Sequence, residues 1–201
     1  MKEIYIIRHG QTEHNRNGIV QGKGVNLSLN ETGKRQAQQF FEAHKNIPFD
    51  VVFTSTLTRA QETVSDFINR GIKHEFRSAL DEISWGDMEG KHSVMDTSEE
   101  FTSLINEWKS GNLSLAPANG ESPLILQARQ KPFVEEIKQS DYKKILVCMH
   151  GRAMRSLLCT MTETSLSKME DFPHVNLGLY KLNLENEKFV IELFNEQGHL
   201  K

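Results

Sequence analysis

Two apolar runs in this chain end in basic clusters: Ile4-Tyr5-Ile6-Ile7 leads into Arg8-His9-Gly10, and Ile145 to Met149 leads into His150-Gly151-Arg152. A third run, Val51 to Phe53, is followed within a turn or two by Arg59. Brought to one crevice, Arg8, His9, Arg59 and His150 would suit a dianionic phosphoryl group, because guanidinium forks pair with phosphoryl oxygens. Such a clamp stabilises the charge spread over equatorial oxygens in the loose transition state of phosphoryl transfer. One histidine is then free to attack, and a phosphohistidine intermediate divides a hard hydrolysis into two displacements. The leaving alkoxide needs a proton. A carboxylic acid beside the phosphate can give it and, as carboxylate, activate water; Glu82, which follows Leu80 and opens an irregular stretch, is the candidate. Singly these residues have bland readings, since helix arginines pack along their stems and histidines serve many structural roles. Only the set is specific.

The elements that must position the set follow from periodicity. Lys2 to Arg8 reads as a strand buried on both faces, a polar loop spans Gln11 to Asn30, and Ala37, Phe40, Phe41 and His44 recur at helical spacing within Glu31 to Lys45. Asp50 to Phe53 reads as a strand, about Leu57 to Asn69 as one helix, and Lys73 to Phe76 as an edge strand. Helices over Glu99 to Lys109 and Glu121 to Gln139, a buried strand over Lys143 to Met149 and a helix over Arg152 to Met161 come next. Gly178 to Leu184 and Lys188 to Phe194 form a hairpin about Glu185-Asn186-Glu187. Alternating strands and helices predict an α/β fold, a three-layer α/β/α sandwich whose mostly parallel central sheet carries an antiparallel C-terminal strand element. In that architecture sites form beyond the carboxyl ends of strands, where the basic clusters lie.

Composition narrows the partners. The 201 residues carry 24 Lys and Arg against 27 Asp and Glu, a net charge of −3, so no overall positive field favours nucleic acid. No apolar stretch approaches the roughly 20 residues needed to cross a bilayer, and no export signal opens the chain, so a cytoplasmic protein is expected. Cys148 and Cys159 lie in or beside apolar stretches and read as buried thiols. No Cys-x-x-Cys or His-Glu-x-x-His occurs, which leaves a metal site without support. Gly18 to Gly24 has the wrong spacing for a nucleotide loop and reads as surface.

The order Ile-Arg-His-Gly-Gln-Thr-Glu-His-Asn at 7–15 resembles the signature of the histidine phosphatase superfamily, in its phosphoglycerate-mutase-like branch. Ser55-Thr-Leu-Thr-Arg59-Ala-Gln-Glu-Thr63 is similar to the family's second arginine motif, and Leu80-Asp-Glu82 with Trp85-Gly86 and Glu89-Gly90 to its acid motif. Gly120-Glu121-Ser122 with Arg129, and Met149-His150-Gly151 with Arg155-Ser-Leu-Leu158, agree as well. The resemblance covers almost the whole chain and implies a single domain over 1–201, with a lid at about 91–119. It implies that His9 is the phosphorylated nucleophile, that Arg8, Arg59 and His150 clamp the phosphate, and that Glu82 is acid, then base. Asn15 and the Gly151 N–H would contact the phosphate, with Gln21 and Gly22 lining the near wall. No metal or other cofactor is implied.

Departures from the family pattern fall at Asn26-Leu-Ser28-Leu-Asn30-Glu-Thr-Gly33, at Met88 where tryptophan is common, and at Arg152 where a small residue is frequent. Asn30 still serves as a helix N-cap. These departures are expected at the pocket rim, bearing on substrate choice rather than chemistry. Trp85, Met88, Phe101 and Trp108 could give that rim an apolar face, although aromatics so spaced are more often core.

A mutase must hold a phosphorylated product while it turns round, which favours a cationic, closing lid. From Lys91 to Asn119 there are Lys91 and Lys109 against Asp96, Glu99, Glu100 and Glu107, and no arginine. The expected function is therefore a metal-independent phosphomonoesterase acting on a small phosphorylated metabolite such as a sugar phosphate. The alternatives are a mutase-type phosphoryl transferase and a non-catalytic phosphate-binding regulatory protein, the latter disfavoured by the presence of both His9 and Glu82. A homo-oligomer stays open.

Overall fold

Alternate residues of the central strands face opposite sides of one sheet, and the apolar contacts divide accordingly. Ile4, Ile6, Val51, Phe53, Ile145 and Val147 join one core, while Tyr5, Ile7, Val52, Leu146 and Cys148 join the other. This computed structural model describes residues 1–92 and 98–201. Its elements are β1 (Lys2–Arg8), α1 (Glu13–Arg16), α2 (Glu31–His44), β2 (Val51–Thr54), α3 (Thr58–Thr63), α4 (Ser65–Asn69) and β3 (Lys73–Phe76). After them come α5 (Ser98–Ser110), α6 (Pro123–Gln139), β4 (Lys144–Met149), α7 (Gly151–Met161), β5 (Leu179–Glu185) and β6 (Lys188–Glu196).

The six-stranded sheet has the order β3-β2-β4-β1-β5-β6. Strands β1 to β4 run parallel, β5 pairs antiparallel with β1, and β6 antiparallel with β5. Phe40 from α2, Ala60 from α3 and Phe67 from α4 cover one face. Phe133 and Ile137 from α6, with Leu157 and Leu158 from α7, cover the other, completing the α/β/α sandwich. Burying each such side chain contributes about 1.5–3 kcal/mol, so both faces hold the sheet rigid beneath the site. Among the described residues no helix is long and apolar enough to cross a membrane.

Three local features differ from the sequence expectation. The loop over 11–30 contains α1, because Thr12 and Asn15 form a reciprocal capping box. The helix expected over about 57–69 is two, broken at Val64 (φ −114°, ψ 13°), whose N–H turns to the nearer Gln61 carbonyl at 3.2 Å. The run Thr63-Val64 favours that break: two β-branched residues, with the Thr63 hydroxyl bonded back to the Arg59 carbonyl at 2.6 Å. Met88, expected at the pocket rim, is instead 1% exposed in the core, because the 3-10 turn Gly86–Met88 points it inward. Of the expected lid at 91–119, residues 93–97, Asp96 included, lie outside the described residues.

Candidate active site

Sheet register brings the two histidines together. Parallel pairing sets Arg8 beside Met149, so the residues that follow, His9 and His150, leave the same sheet edge side by side. The His9 N–H donates to the Met149 carbonyl at 2.9 Å, and the two imidazole centroids lie 5.1 Å apart. Strand β2 flanks β4 on its other side, with Thr54 opposite Cys148, which delivers Ser55 and then α3 with Arg59 to the same edge.

Nδ1 of His9 lies 2.7 Å from the Gly10 carbonyl oxygen. A carbonyl only accepts, so Nδ1 carries the proton and Nε2 keeps its lone pair. Burial, then the adjacent Arg59 and Arg8 guanidiniums, holds the His9 pKa well below the ordinary 6.5, so the ring is neutral and nucleophilic. His150 is fully buried, and the same causes depress its pKa. Its Nε2 is 2.7 Å from the Ser55 hydroxyl, which already accepts the Leu57 N–H at 3.2 Å and can therefore donate its own proton to Nε2. In that arrangement His150 Nδ1 is the protonated nitrogen.

The arginines are anchored at one end and free at the other. Arg8 Nη1 donates to His174 Nδ1 at 3.3 Å, while Arg59 donates to the carbonyls of Val25 at 2.5 Å and Gly22 at 3.3 Å. Burial lowers both guanidinium pKa values to about 10, which leaves them charged at neutral pH. Arg8 Nε, Arg59 Nε, Gln21 Nε2 and His150 Nδ1 are buried without a hydrogen-bond partner among the described residues. Leaving buried donors unpaired costs about 1–3 kcal/mol each, so four in one site call for an acceptor-rich anion.

Thr12 orients two amides beside them. Asn15 Oδ1 accepts the Thr12 N–H at 3.2 Å and the Asn176 amide at 3.3 Å, and Gln21 Oε1 accepts the Thr12 hydroxyl at 3.0 Å. Both amides thus have their oxygens engaged and their NH2 groups available. Asn176 also donates to the His9 carbonyl at 2.8 Å, tying the His9 backbone to the stretch before β5.

Glu82 also lines the site, its carboxylate on the start of α7. It accepts the N–H groups of Ile83 at 2.9 Å, Ala153 at 2.8 Å and Arg152 at 3.1 Å. Arg129 fixes the approach to Glu82 by donating to the carbonyls of Ser78, Ala79, Asp81 and Glu82 at 2.8–3.1 Å. Glu121 holds Arg129 in turn and also accepts the Ser84 N–H at 2.9 Å and Lys23 at 3.1 Å. Burial alone would raise the Glu121 pKa; those partners outweigh it and keep the group ionised.

A cavity of about 340 Å³ opens here, lined by Arg8, His9, Asn15, Gln21, Glu82 and Gly151, and further by Ile19, Val20, Trp85, Phe101, Arg152 and His174. Arg59 and His150 stand behind this lining, fully buried. Gly22 is not in the wall; its carbonyl holds Arg59, and a Cβ there would meet the Glu89 carboxylate at 1.9 Å. Of the expected apolar rim, Trp85 and Phe101 reach the cavity and Trp108 lies in the core behind them. Gly151 opens α7 against His174, whose ring would lie 2.6 Å from any Cβ at that position.

Sequence reasoning missed His174, Asn176, Ser55 and Thr12. For the first two a signal existed: β5 runs antiparallel to β1, so the residues just before β5 must lie at the end of the sheet where β1 finishes. Burial, then Arg8, Arg155 and Arg152, pushes the His174 pKa down to about 2, so it meets Arg8 as a neutral acceptor. Among the described residues no group of three His, Cys, Asp or Glu side chains is arranged to hold a metal ion.

Comparison with known proteins bears on this geometry. The family model of the histidine phosphatase superfamily (branch 1) matches residues 4–197. The chain is 27% identical to the adenosylcobalamin/alpha-ribazole phosphatase of Escherichia coli over 92% of its length and 91% of the relative's. It is 30% identical to a 2,3-bisphosphoglycerate-dependent phosphoglycerate mutase of Parvibaculum lavamentivorans, over 81% of this chain and 80% of the mutase. Mycobacterial glucosyl-3-phosphoglycerate phosphatase in complex with VO3 superposes with a TM-score of 0.88 at 22% identity, covering 98% of this chain and 100% of that one. With the match running nearly end to end, the chain belongs to the histidine phosphatase superfamily, branch 1.

Proposed function

We propose that the protein is a phosphomonoester hydrolase that works through a phosphohistidine at His9. The observation that carries this reading is the convergence of unpaired buried donors from Arg8, Gln21, Arg59 and His150 around a neutral imidazole with a defined tautomer. His9 Nε2 attacks phosphorus as the ester oxygen departs with a proton from Glu82. Glu82, now a carboxylate, takes a proton from water; the oxygen adds to phosphorus, the P–N bond breaks, and phosphate and free His9 result. The guanidiniums, the His150 Nδ1–H and the Asn15 and Gln21 amides meet the equatorial oxygens, the charge stabilisation expected of preorganised donors. The side chains present fit this chemistry without a metal or cofactor.

Water rather than a second metabolite is the acceptor in this reading. The 91–119 segment, which we assign as a lid, supplies Phe101 to the cavity wall and carries more acidic than basic residues, a poor surface for retaining a phosphorylated product. The test is phosphate release from a panel of aryl and sugar phosphates in EDTA, with His9→Ala beside the wild type. Release that persists in EDTA and disappears in the variant supports the hydrolase. Transfer to an alcohol acceptor in place of release would support a mutase instead.

A further inference from the structure

Arg152 stands in the cavity wall where it has no part in the phosphate chemistry derived above, apart from the backbone N–H it gives Glu82. Its side chain and that of Arg155 share one carboxylate: Arg152 Nη1 and Arg155 Nη1 each donate to a different oxygen of Glu170. Two guanidiniums on one carboxylate leave a positive charge unbalanced in this group. Arg155 spends its Nε on the Phe172 carbonyl at 2.9 Å and is not in the cavity lining. Arg152, by contrast, lines the cavity, and Glu170 is the acidic side chain that accepts from it among the described residues.

Arg152 is also held in place. Its guanidinium carbon is 5.8 Å from the Trp85 ring centroid and 5.5 Å from that of Trp108, and the indoles stack on each other at 5.7 Å. Trp108 is fixed by donating Nε1–H to the Leu115 carbonyl at 2.8 Å. A guanidinium packed on aromatic faces and pinned at one nitrogen keeps its remaining N–H edge in a fixed direction, the requirement for forked recognition of a planar anion.

From this we infer that Arg152 selects the substrate: the phosphomonoester carries a carboxylate close to its phosphate, and the Arg152 guanidinium binds it. A carboxylate matches both the single unbalanced charge and the planar fork. The inference rests on the hydrolase reading and sharpens it from a phosphorylated metabolite to a phosphorylated acid. It also accounts for a charged residue directly after His150-Gly151, where the family pattern favours a small one.

The test compares esters that differ by the carboxylate alone: O-phosphoserine against O-phosphoethanolamine, and 3-phosphoglycerate against glycerol 3-phosphate, with p-nitrophenyl phosphate as a reference. The expected wild-type result is a kcat/KM preference of about tenfold or more for the acid in at least one pair, expressed mainly in KM. Arg152→Gln brings that ratio towards one and Arg152→Lys restores part of it; Arg155 continues to neutralise Glu170 in both. A wild-type ratio near one in both pairs, or a ratio that Arg152→Gln leaves unchanged, overturns the inference. Turnover of p-nitrophenyl phosphate with none of the four esters overturns it too, while the hydrolase reading stands. No turnover of any compound, with no phosphoenzyme, defeats the hydrolase reading itself.

Discussion

The Glu82 carboxylate accepts the N–H of Ala153, in the first turn of α7, at 2.8 Å. Helix α7 begins directly after His150, so one short segment sets both the histidine we propose for the phosphate clamp and the proposed acid. The relationship makes Glu82 a cap as well as the proposed proton donor, since the first-turn N–H groups of a helix otherwise lack partners.

That dual role gives a prediction for Glu82→Gln. The amide oxygen can still accept the Ile83 and Ala153 N–H groups but cannot give or take the catalytic proton. Alkyl phosphate turnover should fall by about 10² to 10⁴-fold, whereas phosphorylation of the enzyme by p-nitrophenyl phosphate, whose leaving group needs little protonation, should fall far less. Rapid-mixing absorbance should show a burst of p-nitrophenolate followed by a slow steady state. Equal losses for both substrates would remove Glu82 from the acid role.

Arg59 is the buried arm of the proposed clamp, and two loop carbonyls accept from it. Arg59→Lys keeps a charge but loses the fork, so kcat/KM should drop by about 10²-fold or more. Steady-state kinetics on the folded variant decide the matter; a loss under about tenfold would contradict the clamp.

Thr12 is not in the cavity lining yet holds Asn15 and Gln21. Thr12→Val keeps the shape and removes the hydroxyl. Helix α1 should lose about 1 kcal/mol of capping, and inhibition by inorganic phosphate should weaken by about tenfold as the Gln21 amide loses its orientation, while the Thr12 N–H continues to hold the Asn15 amide. Unchanged phosphate inhibition at full stability would show that the Gln21 amide is held by other means.

Acid should destabilise the fold. His9, His150 and His174 are all held neutral by burial and neighbouring arginines, so the unfolded chain binds protons below pH 6.5 that the folded chain does not. Stability from these groups is therefore present above 6.5 and lost as pH falls below it, each contributing a slope approaching about 1.4 kcal/mol per pH unit. Urea unfolding from pH 7.5 down to 5.5 should show the decline, and His174→Asn should make it shallower. A flat profile would mean that the buried imidazoles accept protons readily.

Much of this arrangement is legible in the sequence because the candidate site residues sit at the ends of strands whose apolar character is unmistakable. Arg8-His9 and His150 follow the two most continuous apolar runs, and parallel pairing makes such ends neighbours. Arg59 and Glu82 were legible through the motifs around them. Supporting contacts were harder to read: Ser55, Thr12 and Asn176 act through hydroxyl and amide geometry, which leaves no periodicity. The inward turn of Met88 is not legible, because spacing does not say which way a 3-10 turn points its third residue. The break at Val64 escaped notice because apolar spacing runs through it undisturbed.

The most direct measurement is a phosphoenzyme trap. Glu82→Gln, mixed with p-nitrophenyl phosphate and quenched in alkali, should carry one phosphoryl group that is stable to base and labile to acid, and peptide mass spectrometry should place it on His9. The double variant His9→Ala with Glu82→Gln should carry none. A phosphoryl group on another residue, or hydrolysis by the wild type with no phosphoenzyme in either protein, would contradict the account.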